Sequence, residues 1–509
     1  MPDDTLPAAG SKQAPGDASK GPLHPVRFVT AAALFDGHDA AINIMRRILQ
    51  AQGAEVIHLG HNRSVDEVVT AAIQEDAHGI AVSSYQGGHV EYFKYMIDLL
   101  RERGRPDIAV FGGGGGVIVA GEVKDLEAYG MTRVYSPEDG RRLGLQGMIA
   151  DMIQTARRDL AADLPQDLDG LKAGDPADLA RVITAIEDGR LPKPLRDEIT
   201  AAAQGRDTVP VLGITGTGGA GKSSLTDEIV RRFRFGSGEP RIAVVAIDPT
   251  RRKTGGALLG DRIRMNANNA PNVFFRSLAT RDAKTEVPPA LADIIAAVKA
   301  AGADIVIIET PGIGQGDAGI VPFCDVSLYV MTPEFGAASQ LEKIDMLDFA
   351  DVIVINKMDR KGAMDALRDV RKQVQRNREA FAAKPDDMPV FGAIASRFND
   401  AGVTAVYQEL LSQFTAKGFP ALPHLLPAVE GKASEPGLAI VPPDRQRYLA
   451  EIADEVRGYL ARAEAQARIA RARQQALETA RMLEETGKNI SDVRDLADSK
   501  SKELSAEAH

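Results

Sequence analysis

The sequence predicts two successive α/β domains, each a doubly wound parallel sheet, followed by a helical segment. Three observations carry this. Short apolar runs alternate with amphipathic helical stretches from Val26 to about residue 155. The alternation resumes at "TVPVLGITG" (Thr208 to Gly216) and runs to about Leu425. A proline-bearing loop and an Ala/Arg/Glu-rich stretch from about Arg445 to Thr486 then read as one long helix. Strands that alternate with helices form parallel sheets covered on both faces, and such sheets bind ligands at the carboxyl ends of their strands.

Composition narrows the function classes. A chain of 509 residues with 44% hydrophobic content exceeds one domain and has ample apolar side chains for buried cores. Its single cysteine, Cys324, permits no internal disulfide and suits a reducing compartment. Residues 1–24 are rich in Pro, Gly, Ser, Asp and Lys with no apolar core, so they read as a disordered tail. No apolar run reaches transmembrane length, and the expectation is a soluble cytoplasmic protein without a membrane anchor. A net charge of −10 argues against nucleic-acid binding.

In chain order, residues 25–155 hold five strand candidates, "VRFVTAAALF", "AEVIHLG", "GIAVSSY", "DIAVFGG" and "MTRVYS", with helical stretches between them. Residues 156–205 read as a polar helical connector, with "GDPADLARVITAIEDGR" its clearest helix. The second domain, 206–425, offers "PVLGITG", "IAVVAID", "ADIVIIE", "VSLYVMT", "VIVINK" and "PVFGAIA" as strands. Residues 426–509 read as loop and helical linker.

The second domain opens on "GITGTGGAGKSSLTDE". Gly216, Gly221, Lys222 and Ser223 satisfy G-x-x-x-x-G-K-[ST] between a strand and a helix, the context that makes the pattern a phosphate loop. Gly216, Gly218, Gly219, Ala220 and Gly221 let backbone N–H groups turn inward as an anion cradle at a helix N-terminus, continued by Ser223 and Ser224. Lys222 brings a point charge to the β and γ phosphates, and the Ser223 hydroxyl is a magnesium ligand. Asn356, Lys357 and Asp359 form N-K-x-D at a later strand end. Such an Asp accepts from guanine N1–H and its exocyclic amine, donors that adenine lacks, so the nucleotide is GTP.

Between these motifs, Glu309 ends an apolar strand and is followed by Thr310; both are placed to reach magnesium. Asp248 and Asp261 are candidates to complete the metal site, and Arg264, with its neighbour Arg262, to neutralise phosphate. Gln315 is the candidate to orient the attacking water, beside Lys222 and Glu309 as catalytic groups. The lack of a stronger water-orienting residue implies slow turnover until a partner orders the loops.

In the first domain, "LFDGHDAA" places Asp36, Gly37, His38 and Asp39 after the first strand. A loop histidine alone is ordinary polar surface. Here Ser83 and Tyr85 follow the third strand, and Gly112 and Gly113 the fourth, so three strand ends offer a ligand, a hydroxyl and bare backbone to one bulky group. Asp36 accepting from one imidazole nitrogen would raise the basicity of the other towards a metal.

This arrangement resembles the cobalamin-binding signature of base-off mutases, D-x-H-x-x-G, then S-x-L, then G-G. Asp36, His38, Ser83, Gly112 and Gly113 match; Ala41 stands where the motif has Gly, and Tyr85 where it has Leu. The resemblance implies a flavodoxin-like domain with His38 as the lower cobalt ligand of adenosylcobalamin. The second domain resembles the G-protein chaperones of acyl-CoA mutases through "IDPTRRKTGGALLGDRIRMN", "ETPGIGQGD" and "NKMD". The order of the two is similar to fused isobutyryl-CoA mutases. That family interconverts isobutyryl-CoA and n-butyryl-CoA, gates cofactor loading by GTP hydrolysis, and dimerises through its mutase part. A substrate barrel needs roughly 250 residues, and the stretch after the second domain reads as linker. The barrel is therefore expected elsewhere, in the same polypeptide or on a separate subunit. The alternatives are a stand-alone cobalamin carrier and GTPase serving such a subunit, a corrinoid protein for methyl transfer, which shares the D-x-H-x-x-G loop, and a nickel-insertion GTPase, against which the lack of a His/Cys-rich tract argues.

Overall fold

The computed structural model describes residues 25–235, 239–251, 253–281, 287–312, 318–335, 341–434 and 448–505. The expected amino-terminal tail and Gln315 lie outside these residues. The chain divides into two compact units, residues 1–435 and 436–509.

Five strands form where the first five apolar runs predict them: β1 (Arg27–Ala33), β2 (Glu55–Arg63), β3 (Gly79–Ser83), β4 (Ala109–Gly113) and β5 (Arg133–Tyr135). They pair in parallel in the order β5-β4-β3-β1-β2, the flavodoxin-like winding. The direction of winding reverses between β1 and β3, which opens a crevice at their carboxyl ends. Local signals set the helices: Val65–Gln74 starts at Ser64, whose hydroxyl accepts from Glu67 N–H while the Glu67 carboxylate accepts from Ser64 N–H. The helix Asp39–Ala51 begins directly after His38 with no side-chain cap.

Downstream come β6 (Val211–Gly216), β7 (Ile242–Asp248), β8 (Ala257–Leu259), β9 (Val273–Ala279), β10 (Ile305–Glu309), β11 (Val326–Met331), β12 (Val352–Asn356) and β13 (Val390–Ala393). Seven of them form the second sheet, β13-β12-β11-β6-β10-β7-β9, parallel throughout. The central strands are buried along their whole length, as both faces are covered. Leu212 and Ile214 enter one core with the phosphate-loop helix, while Val211 on the other face joins Leu179, Val182, Ile183 and Ile186 of the connector. The connector helix Pro176–Glu187 starts where Asp175 accepts from the N–H groups of Ala177 and Asp178, with proline at its first turn.

Two strands depart from the sequence expectation. β9 was not expected, because Arg276 interrupts its apolar run; that arginine is fully buried and paired with Glu187 at 2.6 Å. β8 lies in the glycine-rich stretch of the second domain, yet it pairs with β2 of the first sheet as a sixth strand, Glu55 opposite Ala257 and Ile57 opposite Leu259. Gly256 permits this approach: a Cβ there would collide with the Gln50 carbonyl.

The second unit consists of the helix Tyr448–Glu485 and a shorter helix, Ser491–Glu503, joined through Gly487 at φ +70°. Its buried residues are the small Ala476, Ala480 and Ala497, which let two helices approach closely. The sequence reading foresaw the long helix and not the packed second one. Among the described residues no helix is long and apolar enough to cross a membrane.

Candidate functional site

Two sites are built at strand ends. In the second sheet, β6 ends at Gly216 (φ +146°), where a Cβ would collide with the Val330 carbonyl of β11. Gly219 (φ +75°) and Gly221 (φ +88°) complete a turn that no side-chain-bearing residue follows without strain. Gly218 and Gly219 form its exposed crest, and Ala220 is buried beneath. Lys222 folds back over the loop, its Nζ donating to the carbonyls of Gly216 at 3.0 Å and Thr217 at 3.4 Å. Gly312, after β10, closes against the same ammonium group; a Cβ there would collide with it.

The Ser223 hydroxyl sits between two carboxylates, 2.8 Å from Glu309 Oε1 and 3.0 Å from Asp261 Oδ1. Thr226, one turn on, donates to Glu309 Oε2 at 2.8 Å. Burial, and then the charge of Asp261, push the Glu309 carboxyl up to about 8. Asp248 and Asp261 are raised too, by burial first; for Asp248 the charge of Asp261 follows. Two of these carboxylates, Asp261 and Glu309, share the Ser223 hydroxyl, and the charges of both act on Asp248. Among the described residues no group of three His, Cys, Asp or Glu encloses a metal ion by itself. The Ser223 hydroxyl between the Asp261 and Glu309 carboxylates fits the chemistry of a magnesium ion, which takes few protein ligands and completes its shell with phosphate oxygens and water. Thr310 is turned aside, its hydroxyl donating to Thr215 at 2.8 Å. Arg264 is exposed, and its charge acts on Asp248 and Asp261.

The base loop is tied to this cradle. Asn356 Nδ2 donates to the Ala220 carbonyl at 2.8 Å, and its Oδ1 accepts from the N–H groups of Lys357 and Ala395. Lys357, at φ +64°, donates from Nζ to the Gly219 carbonyl at 2.7 Å. Asp359 stands exposed beside them.

In the first sheet, Asp36 is 1% exposed and holds the loop after β1 against the loop after β3. Its Oδ1 accepts from the N–H and the Nδ1 of His38, both at 2.9 Å, and its Oδ2 accepts from Tyr85 N–H at 2.6 Å. Burial opposes its ionisation, but the donors from His38 and Tyr85 outweigh it and hold the carboxyl below its usual range. An ionised Asp36 keeps the proton on Nδ1 and leaves the Nε2 lone pair outward on a ring whose side chain is 76% exposed. Beneath lies a cavity of about 210 Å³ lined by Ala41, Ser83, Tyr85, Gly112, Gly113 and Tyr135 among others. The buried Ser83 hydroxyl has no hydrogen-bond partner there, which fits a polar group entering the cavity. Gly114 admits the Ser84 carbonyl, and Gly112 makes room for Phe93 and Met131 under the sheet. Asp39 opens the following helix and accepts from Asn43, while Gly37 has open space around it.

Thr226, Thr217 and Tyr135 were missed by sequence reasoning. Thr226 had a signal, since it lies three residues after Ser223 on a helix and so faces the same way. The other two had none.

Comparison with known proteins bears on both sites. Residues 179–492 match the family described as methylmalonyl Co-A mutase-associated GTPase MeaB, and residues 26–131 match the B12 binding domain. The chain is 62% identical over 493 residues to the fused isobutyryl-CoA mutase of Cupriavidus metallidurans, covering 97% of this chain and 45% of that protein. It is 56% identical over 461 residues to the fused isobutyryl-CoA mutase of Geobacillus kaustophilus, covering 88% of this chain and 42% of that one. The chain thus spans less than half the length of these curated relatives.

Proposed function

From a chain that belongs to the methylmalonyl Co-A mutase-associated GTPase MeaB family and carries a B12 binding domain, we propose the cofactor-handling half of an acyl-CoA mutase, most specifically isobutyryl-CoA mutase, working in the cytoplasm. In this reading residues 25–155 bind adenosylcobalamin and residues 206–425 bind and hydrolyse GTP with magnesium. The hydrolysis gates loading and release of the cofactor. The observation that carries the proposal is the buried Asp36, which fixes His38 with one ring nitrogen outward above a cavity containing an unpartnered serine.

In this reading each residue takes its own role. Lys222 exchanges the Gly216 and Thr217 carbonyls for phosphate oxygens as GTP enters. Asn356 and Lys357 fix the base loop to the phosphate loop, so Asp359 meets guanine at a set distance from the cradle. Ser223, Asp261 and Glu309 hold magnesium, with Asp248 supporting the set, and Thr226 orients Glu309. Magnesium, when bound, supplies positive charge that offsets these carboxylates and polarises phosphate. Gln315 is retained as the group that orients the attacking water. His38 supplies Nε2 to cobalt, and Ser83 and the glycine-lined cavity take the displaced nucleotide tail. Adenosylcobalamin supplies the radical chemistry of the 1,2-rearrangement, for which the acyl-CoA, the barrel and a homodimeric assembly complete the proposal.

The test is a pair of titrations on three proteins. The unmodified chain should hydrolyse GTP and should shift adenosylcobalamin to a base-off spectrum with histidine on cobalt. His38→Ala should lose only the spectral shift, and Lys222→Ala only the hydrolysis. Loss of both activities in either variant refutes the assignment of separate sites.

A further inference from the structure

The geometry points to Gln74, in the B12-binding half, as a positioning residue for GTP hydrolysis in the other half. The inference rests on the reading of Asp261 as part of the magnesium site. Asp261 reaches Ser223 at 3.0 Å, and the turn that carries it is built on the first sheet. It follows directly on β8, which is paired along β2. Gly260 N–H donates to Asp248, which joins the start of the excursion to its end.

The next residue anchors the turn. Arg262 is 4% exposed and donates from Nη2 to Gln74 Oε1 at 2.7 Å and from Nη1 to the Phe275 carbonyl at 3.1 Å. Its guanidinium also lies over the Phe275 ring, 5.2 Å from the centroid, and 3.5 Å from Glu75 Oε1. Gln74 is itself fixed, since its Nε2 donates to the Val273 carbonyl at 2.9 Å and its Oε1 also accepts from Phe275 N–H. Ile263, one residue on, packs at Gly60 of β2. Arg262 and Ile263, which follow Asp261, are thus seated against Gln74, Glu75 and Gly60 of the first domain, with Phe275 of the second beside them, while the Asp261 carboxylate faces Ser223. A buried fork of this kind keeps one geometry, because any rotation of Arg262 strips a charge of its partners. Gln74 acts through Arg262 on Asp261 and touches no reacting atom.

The experiment compares the 509-residue chain with Gln74→Leu, Arg262→Lys and Asp261→Asn. Three quantities are read: the magnesium concentration for half-maximal GTP hydrolysis, KM for GTP at saturating magnesium, and binding of a fluorescent GTP analogue with magnesium or with EDTA. Loss of one hydrogen bond to a charged group corresponds to about tenfold. Gln74→Leu should therefore raise the magnesium requirement about tenfold, with KM within about twofold of the parent and analogue binding in EDTA unchanged. Arg262→Lys keeps the charge beside Glu75 but loses the fork, and should shift the same quantity in the same direction. It decides the matter where Gln74→Leu does not fold. If Asp261→Asn raises the magnesium requirement while the folded Gln74 and Arg262 variants match the parent, the inference is wrong and the metal-site reading stands. If Asp261→Asn also matches the parent, the metal-site reading fails, and this inference with it.

Discussion

Replacing Asp36 by Asn exchanges one heavy atom and tests the proposed cobalamin site. The carboxylate accepts three hydrogen bonds, two from His38 and one from Tyr85 N–H at 2.6 Å. An amide accepts through one oxygen only. If that oxygen stays with His38, the NH2 group faces the Tyr85 N–H, donor against donor. If it turns to Tyr85, the NH2 faces His38, and the ring must offer Nδ1 as acceptor and carry its proton on Nε2. The second arrangement removes the lone pair a cobalt ion needs. The first loses a charge-assisted bond worth about 1.5–3 kcal/mol and leaves a buried donor unpaired. Either way the partner that orients the ligand is spoiled, a change that typically costs about 10–100-fold in metal affinity. Adenosylcobalamin titration followed by absorption should show that loss for Asp36→Asn with His38 still present, and long-range nitrogen–proton NMR should report the altered tautomer. An Asp36→Asn protein with parental affinity and an unchanged spectrum would show that Asp36 merely braces the loop.

Two further outcomes follow from the same geometry. Burial, and then the charge of Asp351, push the Cys324 thiol up to about 12 against an ordinary 9. Its alkylation by iodoacetamide at pH 8 should be slower than that of a free thiol by about a thousandfold. Since the folded value is the raised one, stability is lost as pH rises from about 9 to 12, and Cys324→Ala should flatten that part of the melting profile. Reaction of the folded protein at the free-thiol rate would contradict the burial. Glu187 pairs with Arg276 at 2.6 Å and with Arg27 at 3.4 Å, both arginines fully buried. Glu187→Gln removes the charge but keeps the shape, and should destabilise the first unit by about 3–5 kcal/mol in denaturant titration. A cost under about 1 kcal/mol would mean that Glu55 and Glu75 neutralise both arginines without it.

What was legible in the sequence was local. The phosphate loop announces itself because glycines are required at positive φ and because lysine and serine must follow at once on a helix start. The five first-domain strands are legible because β1 to β5 are short apolar runs bounded by turn residues. Asp36 and His38 stood out through their spacing from Ser83 and Gly112 at neighbouring strand ends and through the resemblance that spacing carries; the structure adds hydrogen bonds from His38 and Tyr85 to Asp36. Asp261 and Glu309 were each legible as acids near the nucleotide, and what no sequence pattern conveys is that one hydroxyl, Ser223, stands between them.

What was not legible depends on pairings between residues far apart in the chain, 89 positions for Arg276 and Glu187 and 188 for Arg262 and Gln74. A strand of three residues such as β8 has no periodicity to detect, and its partner is fixed by the edge that β2 leaves open. Arg276 reads as an interruption of β9 until Glu187 is placed beside it, and Arg262, expected from the sequence to neutralise phosphate beside Arg264, is instead buried under Gln74 and Glu75. Glu75 shows why such groups cluster: its carboxylate accepts from Ser277 N–H and hydroxyl while its main-chain carbonyl accepts from Arg27, joining the two sheets through one residue. Burying one ion there would cost several kcal/mol, so each charge is tolerable only because a counter-charge packs beside it, Glu55 for Arg27, Glu75 for Arg262 and Glu187 for Arg276. An interface built this way holds one register or none. A nucleotide-dependent movement of Asp261 must then either stay within the turn 261–264 or carry β8 along the open edge of the cobalamin sheet.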